Sequence, residues 1–184
     1  MSHPTYIKNL ARHSDIREHL GLLRGLALEC DVVVELGFRT GVSTSAFLAA
    51  ERPKVFSFDL LPSGMMVNSF NSRYPKQFEF AIGDSRKIMI PRCDLLFIDT
   101  DHTYLTTLTE LELHHDRVDK WIVLHDTTTF GDVDRGSKVR VKPQGIYTAI
   151  ETFLLSAAAD QEWEIQLRLT NNNGLTILKR VGGL

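Results

Sequence analysis

Five short apolar runs, each followed by a stretch of different character, constrain this chain more than any other feature. They are "DVVVELG" (31–37), "KVFSFDL" (54–60), "FEFAIGD" (78–84), "CDLLFID" (93–99) and "WIVLHD" (121–126). Each is too short for a helix, rich in β-branched or aromatic residues, and closed by glycine or an acid, the pattern of a strand buried on both faces. Between them "VSTSAFLAAE" (42–51) has helical composition, and "TYLTTLTELELHHD" (103–116) carries leucines at 105, 108 and 111, a helical spacing. The stretch after residue 60 is poorly patterned but has room for a helix. "IYTAIETFLLSAAA" (146–159) reads as a late helix, and "EIQLRL" and "LTILKR" as two strands joined through the hairpin-forming "TNNNG". Strands alternating with helices predict an α/β fold: a mostly parallel seven-stranded sheet, an antiparallel C-terminal edge pair and helices on both faces. The amphipathic "IREHLGLLRGLAL" (16–28) is expected to cover the sheet. The chain thus reads as one domain, with an N-terminal helical cover (1–29) and a core (30–184).

The totals fit that reading. A chain of 184 residues can bury about 70% of its unfolded surface. A formal net charge of −2 predicts neither nucleic acid nor an acidic membrane as partner. Cys30 and Cys93 both open apolar runs and are expected to be buried free thiols. The absence of a long apolar segment or a secretory signal core predicts a cytoplasmic protein.

The ends of the five runs carry the chemistry. Glu35, Asp59, Asp84, Asp99 and Asp126, the last preceded by His125, close them in turn. Parallel strands share a carboxyl edge, so these acids are expected along one rim, where open α/β sheets bind ligands. Singly, each has an ordinary alternative; Asp84, for instance, could cap a helix beginning at Ser85. "ELGFRTG" places Gly37 at a tight strand-to-helix turn and Gly41 at the mouth of a helix whose first residues, "VSTS" with Ser43, can face an anion. A dinucleotide fingerprint needs a third glycine where Arg39 stands, which argues against an NAD-dependent oxidoreductase. With Asp59 positioned for a ribose diol, the pattern suggests an adenosine ligand without a pyrophosphate.

On these residues the chain resembles the class I S-adenosylmethionine-dependent methyltransferases. "VVVELGFRTG" looks like their first motif, "VFSFD" like the second and "AIGDS" like the third. "LLFIDTDHTY" followed by "WIVLHDT" is similar to the metal-dependent sugar and macrolide O-methyltransferases and their cephalosporin-type relatives. The resemblance implies a Rossmann-like methyltransferase fold. It implies that Glu35, Gly37 and Gly41 hold the methionine end of S-adenosylmethionine, Asp59 its ribose, and Asp84 with Ser85 its adenine end, with Ser43 also among the cofactor-binding residues. It further implies a divalent metal, Mg or Mn, on Asp99, His125 and Asp126, with His102 as general base. His125 stands where related enzymes often carry an acid. The acceptor would be a small hydroxylated molecule; a homo-oligomer is compatible with the sequence.

The geometry of the pattern can be weighed separately. Asp99 and Asp126 end strands joined by one helix, and a right-handed crossover returns both to the same edge. Hydrogen bonding to loop amides is the plainer use of these acids, and a structural role the plainer use of His102. Asp101 is expected to cap the helix starting near residue 102. His114 and His115 lie about 18 Å along that helix and are expected at the surface or in packing. The polar segment 127–145 reads either as a lid over the acceptor or as a disordered surface loop with no role. A relative that binds cofactor or partner without catalysis is the competing function.

Overall fold

A computed structural model describes residues 3–61, 63–133, 144–156 and 162–182. The five apolar runs become strands β1 (Val32–Leu36), β2 (Lys54–Asp59), β3 (Phe78–Ile82), β4 (Cys93–Ile98) and β5 (Val118–His125), and the closing hairpin supplies β6 (Trp163–Leu169) and β7 (Leu175–Arg180). They form one sheet in the order β3-β2-β1-β4-β5-β7-β6. The first five strands are parallel, and β7 runs antiparallel to both β5 and β6. The helices are α1 (Pro4–Ala11), α2 (Leu20–Ala27), α3 (Val42–Leu48), α4 (Gly64–Arg73), α5 (Tyr104–His114) and α6 (Ile146–Leu154), with short 3-10 turns at Arg17–His19 and His115–Arg117. Among the described residues no helix is long and apolar enough to cross a membrane.

Side chains alternate across a strand, so neighbouring residues serve opposite faces. Val33, Leu95 and Phe97 pack with Leu20, Leu23 and Phe47 beneath α2 and α3. Val34, Leu96 and Ile122 pack with Leu111, Ile150 and Phe153 beneath α5 and α6. Both cysteines are buried and free.

Two local expectations are corrected. β1 runs on to Leu36, so Glu35 is not at the rim; alternation sends it to the α3 face with Val33, and it is wholly buried. The cap of α5 is Thr103, whose side chain accepts from the Thr106 amide at 3.4 Å, while Asp101 backs it by accepting from the Thr103 and Thr106 hydroxyls. The helical spacing of Leu105, Leu108 and Leu111 falls within α5, where Leu111 is buried, Leu108 packs against the core and Leu105 is exposed. Glu110 and His114 are buried beside them, Glu110 accepting from Ser85 Oγ and His114 Nε2 donating to Ser85 O. His115 packs its ring against Phe153. Of the expected lid, residues 134–143 lie outside the described residues, as do 157–161 at the end of the late helix.

The connection from β1 leads toward β2 and β3, and that from β4 toward β5, so a crevice opens at the carboxyl ends of β1 and β4. Gly37 makes this close approach feasible. Its φ is +99°, and a Cβ there would lie 2.0 Å from the Asp99 carbonyl oxygen. Gly37→Ala is therefore expected to destabilise the protein by about 3 kcal/mol or more, read from urea unfolding. A loss below about 0.5 kcal/mol, the range of ordinary surface substitutions, would show that the two loops do not need this contact.

Candidate active site

The crevice is a cavity of about 380 Å³ whose lining includes Gly37, Asp59, Asp84, Ser85, Asp99 and Thr100. Asp59 sits where β2 ends and accepts backbone hydrogen bonds from Arg39 (2.7 Å) and Leu61 (3.0 Å), which pin the carboxylate and leave further acceptor capacity. Asp84 lies two residues past β3. Arg86 donates to it from Nε and Nη2, both at 2.9 Å, and holds its carboxyl well below the usual range.

Glu35, Gly41 and Ser43 do not line this cavity but shape its loop from below. Glu35 accepts from Ser43 Oγ (2.5 Å), Thr44 Oγ1 (2.6 Å) and Ser57 Oγ (2.5 Å), fastening the start of α3 to β1 and β2. Burial pushes its pKa up to about 7, against the pull of the three hydroxyls. Gly41 takes a left-handed conformation, φ +75°, beneath the ring of Phe70.

Beside the cavity, adjacent parallel strands bring the remaining groups together. Ile98 of β4 is in register with Leu124 of β5, so Asp99 and the His125–Asp126 pair emerge side by side. Asp126 has φ +60°, uncommon for a non-glycine residue and found at sites that over-determine their backbone. One ligand atom each from Asp99, His125 and Asp126 lies within 4.8 Å of the others. His125 Nδ1 is 3.6 Å from Asp99 Oδ1 and 3.5 Å from Asp126 Oδ1. His102 lies within this group rather than beside it, its Nε2 at 2.8 Å from Asp126 Oδ2 and 3.3 Å from Asp99 Oδ1, with its ring stacked on Phe130.

Two carboxylates this close need positive charge between them. Burial opposes charging His102 and His125, but the Asp126 and Asp99 carboxylates, which accept from His102 and lie close to His125, outweigh it and raise the imidazoles to about 9 and about 10. Both nitrogens of His125 and Asp126 Oδ1 are buried with no hydrogen-bond partner among the described residues. Two carboxylates and an imidazole with unsatisfied atoms form a mixed oxygen–nitrogen donor set for a divalent cation: the carboxylates suit magnesium or manganese, and the imidazole favours manganese over magnesium.

Two residues near the site escaped the sequence reading. His19 is buried, donates from Nε2 to Asn171 O (3.1 Å), and sets its ring edge-on to His125 with centroids 5.7 Å apart. Nothing in "IREHLGLL" distinguishes it from a helix-face histidine. Glu110 is buried on α5, where it accepts from Ser85 Oγ (2.5 Å) and Thr100 Oγ1 (2.7 Å), joining two walls of the cavity. Its trace in the sequence is the shared helical face of Thr106, Glu110 and His114, four residues apart.

Comparison with known proteins follows this geometry. A family model described as a methyltransferase domain matches residues 34–127. No curated protein sequence matched the chain. Among solved structures, a candidate caffeoyl-CoA O-methyltransferase from Staphylococcus aureus superposes with a TM-score of 0.69 at 15% identity, over 98% of this chain and 93% of that one. The SAH-bound methyltransferase PaMTH1 of Podospora anserina gives 0.63 at 15% identity, over 97% and 87%. The N-methyltransferase NodS of Bradyrhizobium japonicum, in complex with S-adenosyl-L-homocysteine, gives 0.63 at 16% identity, over 97% and 99%. At these identities the likeness establishes a shared Rossmann-like methyltransferase fold.

The buried glutamates make stability depend on pH. Burial raises Glu35 and Glu110 to about 7 in the folded chain, from 4.5 ordinarily. The folded state then binds more protons between those values, so their contribution falls as pH rises from about 5 to 7. Buried His19 and His114 and half-buried His115, held below 6.5 by desolvation, act in the opposite sense. The difference between wild type and Glu35→Gln isolates the first effect. Unfolding free energy should decline less steeply from pH 5 to 8 in the variant, and equal slopes would show that Glu35 ionises freely.

Proposed function

The chain belongs to the methyltransferase domain family, and from that membership we propose S-adenosylmethionine-dependent transfer of a methyl group to a hydroxyl of a small molecule, assisted by magnesium or manganese. The observation that carries this reading is the double position of Asp99. It lines the cavity between Asp59 and Ser85, and it also belongs to the cluster of Asp126, His125 and His102. A cofactor site and a cation site thus share one wall. The bound S-adenosylhomocysteine of the Podospora and Bradyrhizobium structures supports the choice of cofactor.

In this reading Asp59 accepts hydrogen bonds from the ribose diol, Asp84 and Ser85 face the adenine end, and the loop of Gly37 faces the methionine end. Glu35, Gly41 and Ser43 hold that loop in shape from beneath. Asp99, His125 and Asp126 would hold the cation. When bound, it supplies positive charge that favours the alkoxide form of an acceptor hydroxyl, and S-adenosylmethionine supplies the methyl group. His102 Nε2 takes the hydroxyl proton. The walls contribute alignment for in-line attack and exclusion of water. An oxygen acceptor is preferred over nitrogen because a neutral amine is nucleophilic without such help. A hydroxyl needs both a base and a neighbouring positive charge.

One observation favours the competing, non-catalytic reading. With Asp126 and Asp99 as its partners, His102 is raised to about 9 and carries a proton at neutral pH, so it cannot act as a base in that state. Only when those carboxylates are engaged elsewhere does its affinity for the proton fall. The readings therefore diverge in the His102 titration followed by NMR. A pKa near 9 without metal that moves below about 7.5 with saturating magnesium, toward the reference value of an imidazole, supports catalysis. A pKa indifferent to magnesium supports the vestigial site.

Cofactor binding gives the complementary test. S-adenosylhomocysteine should bind the wild-type chain in calorimetry, and Asp59→Ala should weaken it about tenfold or more, through loss of charge-assisted hydrogen bonds. His102→Ala should retain that affinity while turnover falls by about 10² to 10⁴. A wild-type chain that binds no S-adenosylhomocysteine would sink the proposal.

A further inference from the structure

A second groove, of about 520 Å³, lies on the other side of the β1–α3 loop, between α1, the segment that follows it, and the first residues of α3. Lys8, Arg12, His13 and Arg39 line it, with Asp15 as the acid among them. Three permanent cations therefore face one carboxylate in a chain whose formal net charge is −2. That carboxylate is already engaged, Arg39 Nη1 lying 3.1 Å from Asp15 Oδ2. Lys8 of α1 and Arg12, the extended residue that ends the helix, both line the groove. Neither has an ionic partner among the described residues.

The groove is held in shape. Arg73 Nη1 donates to Thr5 Oγ1 at 2.7 Å and Asn9 Nδ2 donates to Ser45 Oγ at 2.9 Å, tying α1 to α4 and α3. Val42 and Met66 contribute apolar surface, which strengthens charge–charge attraction above it. Ser14 lines the same groove, and its Oγ is buried with no hydrogen-bond partner among the described residues. An ordinary solvated patch explains neither the concentration of one sign nor this unpartnered hydroxyl.

Arg39 lines both this groove and the cofactor cavity, so a molecule seated here abuts the loop that carries Gly37. Beyond Asp15 the same segment leads to His19, whose ring touches His125. We propose that the groove binds the anionic part of the methyl acceptor, a small molecule bearing at least two negative charges as phosphate or carboxylate. This assignment rests on the methyltransferase reading above. Lys8 and Arg12 supply the charge, Arg39 closes the inner end, and Asn9 and Thr40 offer polar contacts. The excess positive charge also draws such acceptors to the rim from solution.

The test is calorimetric titration of the full chain with pyrophosphate and with citrate, at low and at physiological salt, each with and without S-adenosylhomocysteine. The wild-type chain should bind at least one anion, more weakly as salt rises, and also when loaded with S-adenosylhomocysteine. A preference for pyrophosphate identifies a phosphate-bearing acceptor, and one for citrate a polycarboxylate. Lys8→Ala with Arg12→Ala should weaken anion binding about tenfold or more and leave S-adenosylhomocysteine affinity unchanged. These exposed side chains can be removed without disturbing the core, so a loss of anion binding in a folded variant reports on the groove. Failure of both anions to bind, or equal binding by the double variant, would overturn the proposal while leaving the cofactor reading intact. Anion binding by a chain that does not bind S-adenosylhomocysteine would overturn the acceptor assignment together with that reading.

Discussion

The contact between Gly37 and the Asp99 backbone, where β1 and β4 lie side by side, governs the rest of the molecule. Parallel pairing carries both strands to the same edge, and the connections then leave toward opposite sides. The crevice between them is consequently a product of topology rather than of any single loop. Every group in the candidate site is referenced to this point. Asp59 and Asp84 extend along one side of it, and His125 and Asp126 along the other. A side chain at position 37 would push the walls apart and separate the cavity from the cluster of Asp99, His102, His125 and Asp126.

Charge compensation is the second organising constraint. The chain places Glu35, Glu110, Asp99 and Asp126 in or near the interior, and treats the two pairs differently. Glu35 and Glu110 are met by uncharged hydroxyls, and burial leaves them inclined to hold a proton near neutral pH. They act as clamps between elements. Asp99 and Asp126 are met by imidazoles and remain ionised, their pKa values lowered by His102 and His125 against the effect of burial. A carboxylate kept charged beside others is suited to a cation, and one that drifts toward neutrality is suited to structure. Environment rather than residue type thus separates site acids from scaffold acids.

That separation marks where the sequence stopped being legible. The alternation of strands and helices, the closing hairpin and the row of terminal acids could all be read directly, because strand length and the alternation of apolar and polar residues are local properties. Asp59, Asp84, Asp99, His125 and Asp126 stand at or just past their strand ends, as the pattern implied. Glu35 fits the same pattern in the sequence but lies one residue inside its strand, and a shift of one residue reverses the face on which a side chain emerges. The buried polar groups of α5 were not legible for a related reason: Glu110 and His114 are inside with Ser85 as a partner that no local pattern reveals. His19 and the basic groove depend on α1 and α2 folding over the sheet, with residues more than twenty apart in sequence meeting.

By itself, then, the sequence determined the layered α/β architecture, the direction of the strands and the set of acids available at their carboxyl ends, since these follow from short-range periodicity and the handedness of crossovers. Tertiary structure alone decided which acids face the cavity, that His102 stands between Asp99 and Asp126, and that Lys8, Arg12 and Arg39 share a groove. Those outcomes require strand register, a left-handed turn at Asp126 and helix docking. Each depends on contacts between distant residues, whose balance of burial and charge exists only in the assembled fold.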